Sequence, residues 1–267
     1  MINFSVNYSL FKYLRMFDYN LFAKFLYNRK KRICFKDERC SFIKDEIVRK
    51  ILSRLNSINL QPASIYIEGI SDAAMKLLKL NFPEACVYRV LDQKVDLVIS
   101  NCLLHANRSI IDCLSLWNRF LNSDGMIFFT TFGLSTLKEL RDAWHNSDRC
   151  PHVNQMFDVH DIGDILVAEK FLHPVVESEN IVFNYEKLQT FFEDVRDLGE
   201  PLADRNMRRN FTGKNRWRIF LKNFYKKNFN ATYEIIYGFA YTNCNNSIKS
   251  DSKNVKVPVD SLVHRNF

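Results

Sequence analysis

The sequence predicts an α/β domain built on a largely parallel sheet, and three observations carry the prediction. Residues 126–132 form an unbroken run of apolar and threonine residues, which is typical of a central strand covered on both faces. A helical pattern follows, and Ser135 is placed to cap that helix. Its apolar face is formed by Leu137, Leu140, Ala143 and Trp144. A second helix is predicted from Asp158 to about Lys170, and another strand over 172–184. Strand, excursion, helix and strand in this order are typical of one half of an open α/β sheet.

The composition favours one domain. The chain has 267 residues, of which 47% are hydrophobic, and this suffices for a single core. We expect that domain to cover 1–241, with N-terminal helices in 1–60 and the sheet with its helices in 61–241. Residues 242–267 are polar and poor in aromatic residues, so we expect a flexible tail.

Charge and cysteine content narrow the function classes. A net charge of +8 favours nucleic acid, an anionic membrane or an acidic protein as partner, or a basic surface with no specific partner. No nucleic-acid motif accompanies the charge. The basic run at 29–32 is either a docking site for an acidic partner or a solvated helix end. The seven cysteines form no CxxC and no metal-type pairing with histidine, which indicates reduced, mostly buried thiols and no metal site. No apolar run approaches the ~20 residues of a membrane span, so we expect a soluble, cytoplasmic protein.

The first half of the chain predicts a helix, a strand and a second helix around one glycine. Ser41–Leu55 is a helical pattern with Ser41 as a plausible cap, Ile65–Ile67 reads as a strand, and Asp72–Leu80 reads as a helix. The turn between the last two is IEGISDA. Gly69 is its only glycine, at the place where nucleotide-binding α/β folds carry a glycine-rich turn.

Several stretches resemble one enzyme family. The segments TFGLSTLKELRDAW, PHVNQMFDVHDIGDILVAEKF and NYEKLQTFFEDVRDLGE closely resemble the C-terminal half of the malonyl-[acyl-carrier-protein] O-methyltransferases of biotin synthesis. FTGKNRWRIFLKNF and ATYEIIYGFAY fit the same family, so the resemblance covers roughly 95–241. A mitochondrial complex I assembly factor with a methyltransferase fold is a more distant relative. The resemblance implies a Rossmann-like methyltransferase three-layer sandwich with N-terminal helices over the cofactor and a helical insertion after strand 5.

The family's cofactor is S-adenosylmethionine, and the resemblance places it on the turn after strand 1. The family pattern there is typically D-x-G-x-G-x-G, in which an acidic residue at the end of strand 1 is followed by three glycines at alternate positions. Here Glu68 stands one place late, Gly69 is kept, and Ser71 and Ala73 replace the other two glycines. A Cβ is penalised where the backbone needs a positive φ. The resemblance implies Glu68, Gly69, Ser71 and Asn101 as cofactor-binding residues.

A second departure shortens the cofactor half. Only 96 − 69 = 27 residues separate Gly69 from Asp96, where the family has helix, strand 2, helix, strand 3 and a loop. The fold is therefore predicted to be truncated at the edge formed by strands 2 and 3. Asp92 is the candidate for holding the ribose. A parallel crossover normally needs a dozen or more residues, so Val87–Leu91 is either not strand 2 or the sheet edge is rebuilt.

The resemblance implies methyl transfer to the free carboxyl of a malonyl thioester. That carboxylate is already ionised near neutral pH, so the site needs a cation rather than a strong base. Arg141 is the first candidate for gripping it, with His152 and Asn154 shaping the pocket; alternatively Arg141 is a solvated helix residue and His152 packs a loop. The acidic acyl carrier protein would dock on basic residues from Arg205 to Arg218, which otherwise form an exposed basic helix.

Two functions follow from these observations. The chain is either a shortened O-methyltransferase acting on malonyl-acyl-carrier-protein in biotin (pimeloyl) synthesis, or a catalytically degenerate protein of the same fold that acts as a binding or assembly factor.

Overall fold

The computed structural model describes residues 42–58, 60–107, 109–145, 147–198, 202, 204, 206–208 and 210–243. Predictions for the N-terminal segment and its basic run, for Ser41 as a cap, for Arg205 and Arg209, and for the tail beyond Asn243 lie outside these residues.

One six-stranded sheet organises the described part of the chain. Its strands are β1 (Ser64–Glu68), β2 (Cys86–Tyr88), β3 (Val95–Ser100), β4 (Leu121–Phe132), β5 (Leu172–Asn184) and β6 (Asn230–Tyr241). The order across the sheet is β2-β1-β3-β4-β6-β5. The strands β2, β1, β3 and β4 are mutually parallel, and β6 runs antiparallel to both β4 and β5. The α/β prediction is therefore confirmed.

Helices cover both faces of the sheet and make it the middle of three layers. They are α1 (Phe42–Asn56), α2 (Asp72–Asn81), α3 (Ile110–Phe120), α4 (Lys138–His145), α5 (Val159–Ala168), α6 (Leu188–Asp197) and α7 (Lys214–Tyr225). The buried sides of α3 and α5 share one apolar core with the sheet, and those of the other five share the core on the opposite face. Because the central strands are covered on both sides, β4 is buried from Gly125 to Phe132, as its unbroken apolar run predicts.

The sheet is truncated as predicted, with β2 as its outermost strand on this side, and the remaining edge is rebuilt, which is the second of the two alternatives. The strand β2 has three residues, and only residues 89–94 lead from it across β1 to β3. So short a crossover suffices because β2 pairs with the first part of β1, level with the start of β3. The helix α2 packs on one face of the sheet, whereas Tyr88 and Leu91 pack on the other. The connection from β1 to β2 and the connection from β2 to β3 run in opposite directions on opposite faces of the sheet, which keeps both of them right-handed.

Some local predictions are wrong for identifiable reasons. The hydroxyl of Ser135 does not cap α4, which begins only at Lys138; the backbone N–H of Ser135 instead donates to Glu234 Oε2 at 2.7 Å. The spacing of apolar residues predicts a helix from Tyr185 to Leu198, but the helix α6 begins only at Leu188, because the Tyr185 amide bonds to Phe229 O. Among the four described cysteines only Cys102 is fully buried, so the expectation of mostly buried thiols fails for this part of the chain.

Candidate functional site at the carboxyl edge of the sheet

The predicted site residues follow the carboxyl ends of the parallel strands. In an open α/β sheet, ligands bind at this edge, where successive connections leave in opposite directions. That point lies beside β1, because β2 and β3 are its two neighbours. Gly69 directly follows β1 and Asn101 directly follows β3, so the topology brings these two residues together at the switch point.

Gly69 packs directly against the end of β3. Its φ is +69°, a conformation that a residue with a Cβ rarely adopts, and a Cβ built there would lie 2.1 Å from Asn101 O. The Asn101 amide donates to Glu68 O at 3.0 Å, and Asn101 Nδ2 donates to Gly69 O at 3.2 Å. Three of the predicted cofactor residues, Glu68, Gly69 and Asn101, are therefore in mutual contact.

Ser71 begins α2 and joins it to α1. Its hydroxyl accepts from Ala74 N at 3.1 Å, as an N-cap does, and donates to Asp45 Oδ1 at 2.7 Å. The backbone of α1 makes a second contact, since Asn101 Nδ2 donates to Lys44 O at 3.1 Å. The first turn of α1 therefore lies over the β1–α2 turn, which is where the resemblance places the N-terminal helices.

The carboxylate of Glu68 is held from two sides. Ser100 Oγ donates to Oε1 at 2.5 Å, and the Tyr66 hydroxyl donates to Oε2 at 3.0 Å. Burial, reinforced by the Glu68 charge, raises the pKa of Tyr66 well above its usual value. Burial together with the charges of Glu68 and Asp112 likewise raises the pKa of the Cys113 thiol. Tyr66 and Cys113 therefore stay protonated at neutral pH, and Tyr66 keeps its hydroxyl as a donor to Glu68.

At the carboxyl end of β2 the structure places a cation. Arg89 Nη2 lies 2.6 Å from Asp72 Oδ1, and Nη1 donates to Ile70 O at 3.3 Å. Folds of this type place an acidic residue here for the ribose hydroxyls. Asp92 lies farther along the crossover, exposed and without a contact to Glu68, Gly69, Ser71 or Asn101 among the described residues. Sequence reasoning missed Arg89 because it extended the apolar run of this strand to Leu91.

These contacts test the fit of an S-adenosylmethionine-type ligand. The positive-φ glycine after β1, the start of α2 and the end of β3 fit the amino-acid end of such a ligand, which is bound by backbone groups near a helix N-terminus. The ribose end does not fit in the same way. Arg89 lies where folds of this type place the acidic residue for the ribose, and it forms an ion pair with Asp72.

The segment between β4 and α5, residues 133–157, is called the excursion below. It starts and ends at the carboxyl edge of the sheet. Gly133 follows β4, and Phe157 returns to pair with it in a parallel bridge, with Phe157 N donating to Phe132 O at 3.4 Å. Arg141, His152 and Asn154 all lie on this excursion, whose two ends meet at the carboxyl end of β4.

Arg141 holds the beginning of the excursion. Its Nη1 donates to Leu134 O at 3.2 Å and its Nη2 to Thr136 O at 3.4 Å, while the side chain remains exposed on α4. The guanidinium has five N–H donors, and these two bonds leave others available to a ligand.

His152 is held by an acid and an aromatic face. Its Nε2 lies 2.8 Å from Asp148 Oδ1, and its ring stacks on Trp144 with centroids 4.0 Å apart. The other face of Trp144 stacks on Phe220 of α7 at 4.3 Å. Asn154 lies two residues beyond, half-buried. The stack ties the excursion to α7.

The strand order with its antiparallel β6, the glycine turn and the helical excursion define a Rossmann-like fold of the methyltransferase class. Similarity to known proteins narrows the class. A malonyl-[acyl-carrier protein] O-methyltransferase of Coxiella burnetii is 30% identical over 251 residues, which cover 82% of this chain and 88% of the relative. The chain belongs to the malonyl-[acyl-carrier protein] O-methyltransferase family, as its motifs predict. Four relatives of the same name match over 50% to 61% of their own length.

Two further comparisons are more distant. The mitochondrial arginine-hydroxylase NDUFAF5 of Dictyostelium discoideum is 30% identical over 171 residues, 59% of this chain and 39% of that protein. Among solved structures, the YcgJ protein of Bacillus subtilis aligns with a TM-score of 0.43 and 8% identity, over 73% of this chain and 98% of that one. The chain matches no protein-family model.

The described residues contain neither a candidate membrane span nor a candidate metal centre. No helix there is long and apolar enough to cross a membrane, and no three histidine, cysteine or acidic side chains lie close enough together to hold a metal ion.

Proposed function

We propose that the chain transfers the methyl group of S-adenosylmethionine to the free carboxyl of a malonyl-acyl-carrier-protein thioester in biotin (pimeloyl) synthesis, in the cytoplasm. The observation that carries the proposal is convergence at one edge: the β1–α2 turn and the excursion after β4 both end where ligands bind in this fold. Family membership supplies the reaction class.

The cofactor, when bound, supplies a methyl group on a sulfonium that is open to attack from the opposite side. Glu68, Gly69, Ser71 and Asn101 would hold its amino-acid end, since Glu68, Gly69 and Asn101 form one hydrogen-bonded cluster and Ser71 caps the N-terminus of α2 that follows it. Asp92 remains the candidate for the ribose, and its exposed carboxylate is free to turn towards a ligand. A pre-formed turn reduces the ordering that binding must impose on the chain.

The acyl side of the site has to bind a carboxylate and exclude water. Because a malonyl carboxylate is ionised near neutrality, no base is required, and desolvation and alignment dominate. We assign binding of the malonyl carboxylate to Arg141, through the guanidinium N–H donors that its bonds to Leu134 O and Thr136 O leave available. We assign the walls of the pocket to His152 and Asn154.

The carrier protein would dock on the basic surface around α7. Lys214, Arg216 and Arg218 follow one another on this helix, and Arg205, Arg208 and Arg209 precede it. Phe211 beside them is fully exposed and Trp217 is 38% exposed, which suits contact with another molecule. Acidic carrier proteins complement such a surface.

Calorimetry and a methyl-transfer assay test the proposal together. We expect S-adenosylhomocysteine to bind the purified chain at micromolar concentration, and label from S-adenosylmethionine to pass to malonyl- but not to acetyl-carrier protein. Glu68→Gln keeps the shape of the turn and should weaken binding about tenfold by removing a charge. Exposed Glu193, replaced in the same way, is the matched control. A folded sample that binds no S-adenosylhomocysteine at millimolar concentration would overturn the proposal.

One observation favours the second candidate, a non-catalytic binding or assembly factor. The turn around Ser71 is already bonded within the chain, because Asp45, Arg89 and Asn101 each occupy one of its polar groups. A ligand must compete with these contacts. Absence of cofactor binding together with capture of a folded partner protein would select this candidate.

A further inference from the structure

The segment that leads into α7 and the helix itself carry an unbalanced positive charge. Residues 205–233 contain nine lysines and arginines and no aspartate or glutamate. Within the described residues, Asp148 approaches Arg208, with Oδ2 3.9 Å from Nη1. Asp142 approaches Lys227, with Oδ2 3.7 Å from Nζ. Like charges in such a run repel one another, so the surplus favours an anion that is supplied from outside the chain.

Three of these cations line one cavity of about 400 Å³. Its lining consists of Arg208, Phe211, Gly213, Lys214, Asn215 and Arg216. None of these residues is acidic, and Lys214 and Arg216 form no ion pair with another described residue. Phe211 is fully exposed and adds an apolar wall. The lining suits a phosphate carried on a partly apolar chain, because lysine and arginine bind phosphate oxygens through charge and N–H donors.

The cavity adjoins the excursion. Ser147 Oγ donates to Arg216 O at 3.4 Å, and Trp144 stacks on Phe220 of α7 with ring centroids 4.3 Å apart. Trp144 and Ser147 follow Arg141 closely on the excursion. The cavity therefore lies next to the segment to which the acyl group is assigned.

We propose that this cavity binds the phosphodiester that joins a pantetheine arm to its carrier protein. The inference rests on the proposed function, which supplies a carrier-bound thioester as the substrate. The pantetheine chain separates the phosphate from the thioester, so the phosphate binds away from the carboxylate assigned to Arg141. Lys214 and Arg216 neutralise the phosphate, and Phe211 contacts the apolar part of the arm. Arg218 is not part of the lining and is left for acidic side chains of the carrier protein.

Calorimetry with two small probes, in the absence of cofactor, tests the phosphate site. The full chain should bind phosphopantetheine at least about tenfold more tightly than pantetheine, as expected for charge-assisted hydrogen bonds. Lys214→Gln combined with Arg216→Gln should bring this ratio to near one and leave the affinity for pantetheine unchanged. Lys222→Gln combined with Lys226→Gln is the matched control, because it removes the same charge from exposed positions outside the lining and should keep the ratio.

Binding of the carrier protein separates the phosphate from the acidic surface of the carrier. The form that carries the arm should bind the wild-type chain several-fold more tightly than the form without it. Lys214→Gln combined with Arg216→Gln should remove this difference. Arg218→Gln should weaken both forms alike, since it leaves the cavity intact.

The inference is overturned if the wild-type chain binds both small probes equally, if the cavity variant keeps the preference, or if the control variant loses it to the same extent. Tighter binding of adenosine bisphosphate than of phosphopantetheine would also overturn it, because the cavity would then be a nucleotide site. A phosphate preference that depends on Lys214 and Arg216, without any methyl transfer by the wild-type chain, would uphold the cavity and overturn the proposed function. Methyl transfer without a phosphate preference would overturn the inference alone.

Discussion

Replacing Gly69 by alanine tests whether the turn after β1 packs directly against Asn101 at the end of β3. The added Cβ would lie 2.1 Å from Asn101 O, and the backbone would have to keep a φ of +69°. Asn101 cannot retreat easily, because its amide bonds to Glu68 O and its side chain bonds to Lys44 O, Gly69 O and Thr130 Oγ1.

Two contributions set the expected magnitude. The left-handed conformation costs a residue with a Cβ about 1–2 kcal/mol. Forcing a methyl group into a closed contact costs about 1–3 kcal/mol more. We therefore expect Gly69→Ala to lower the free energy of unfolding by about 2–5 kcal/mol, a large share of the stability of a typical domain.

Urea denaturation followed by circular dichroism measures the effect, and Gly163→Ala is the matched control. Gly163 lies inside α5, and a Cβ there would meet only Val176 Cγ2, at 4.0 Å. Alanine should leave this helix unchanged or stabilise it by up to about 1 kcal/mol. A loss below 1 kcal/mol for Gly69→Ala, with an unchanged urea dependence, would refute the tight contact between the turn and β3.

Three other predictions follow. Burial would raise the pKa of Asp96, but four hydrogen bonds to its carboxylate outweigh burial and lower this pKa below its usual value. Its stabilisation should thus be complete at neutral pH and lost as the pH falls through the lowered pKa, and in acid titrations of unfolding Asp96→Asn should flatten the dependence below about pH 4. The raised pKa of Cys113 should slow its alkylation at pH 8 at least about tenfold relative to exposed Cys86 by peptide mass spectrometry, with equal rates in urea. Phe220→Leu should cost about 0.5–1.5 kcal/mol in urea unfolding beyond any change in buried area, because the stack on Trp144 is lost; no loss would contradict a stabilising stack.

Local pattern was enough to predict most of the fold. The unbroken run in β4 and the one-sided apolar spacing in α1 and α4 are short-range properties, and burial in the structure follows them. Likewise the class of the sheet follows from the alternation of strands and helices. The candidate residues Gly69 and Asn101 came from the family resemblance, and in the structure each directly follows a strand whose carboxyl end lies at the ligand edge.

Contacts between residues that are far apart in the sequence could not be predicted from local pattern. His152, Trp144 and Phe220 form one stack, although the last lies 76 residues beyond Trp144 in the sequence. Arg208 likewise meets Asp148 across 60 residues, and the sequence shows it only as one of several basic residues. The position of Arg89 depended on where β2 ends, and a three-residue strand carries too little periodicity to fix its end.

The shortened sheet edge at β2 would affect the ribose and base end of a bound cofactor more than its sulfonium end. The switch point is defined by β1 and its neighbour β3, and both strands keep their register from Ile65 opposite Leu97 to Glu68 opposite Ser100. What the chain has lost lies on the other side of β1, where β2 is short and Arg89 follows it. Loss on that side removes contacts to ribose and base, whereas the reacting sulfonium would lie nearer the retained side. We therefore expect the truncation to weaken binding of the cofactor more than it slows the transfer from bound cofactor. An ordinary turnover rate with a raised cofactor KM would agree with this division, and tight binding with slow transfer would contradict it.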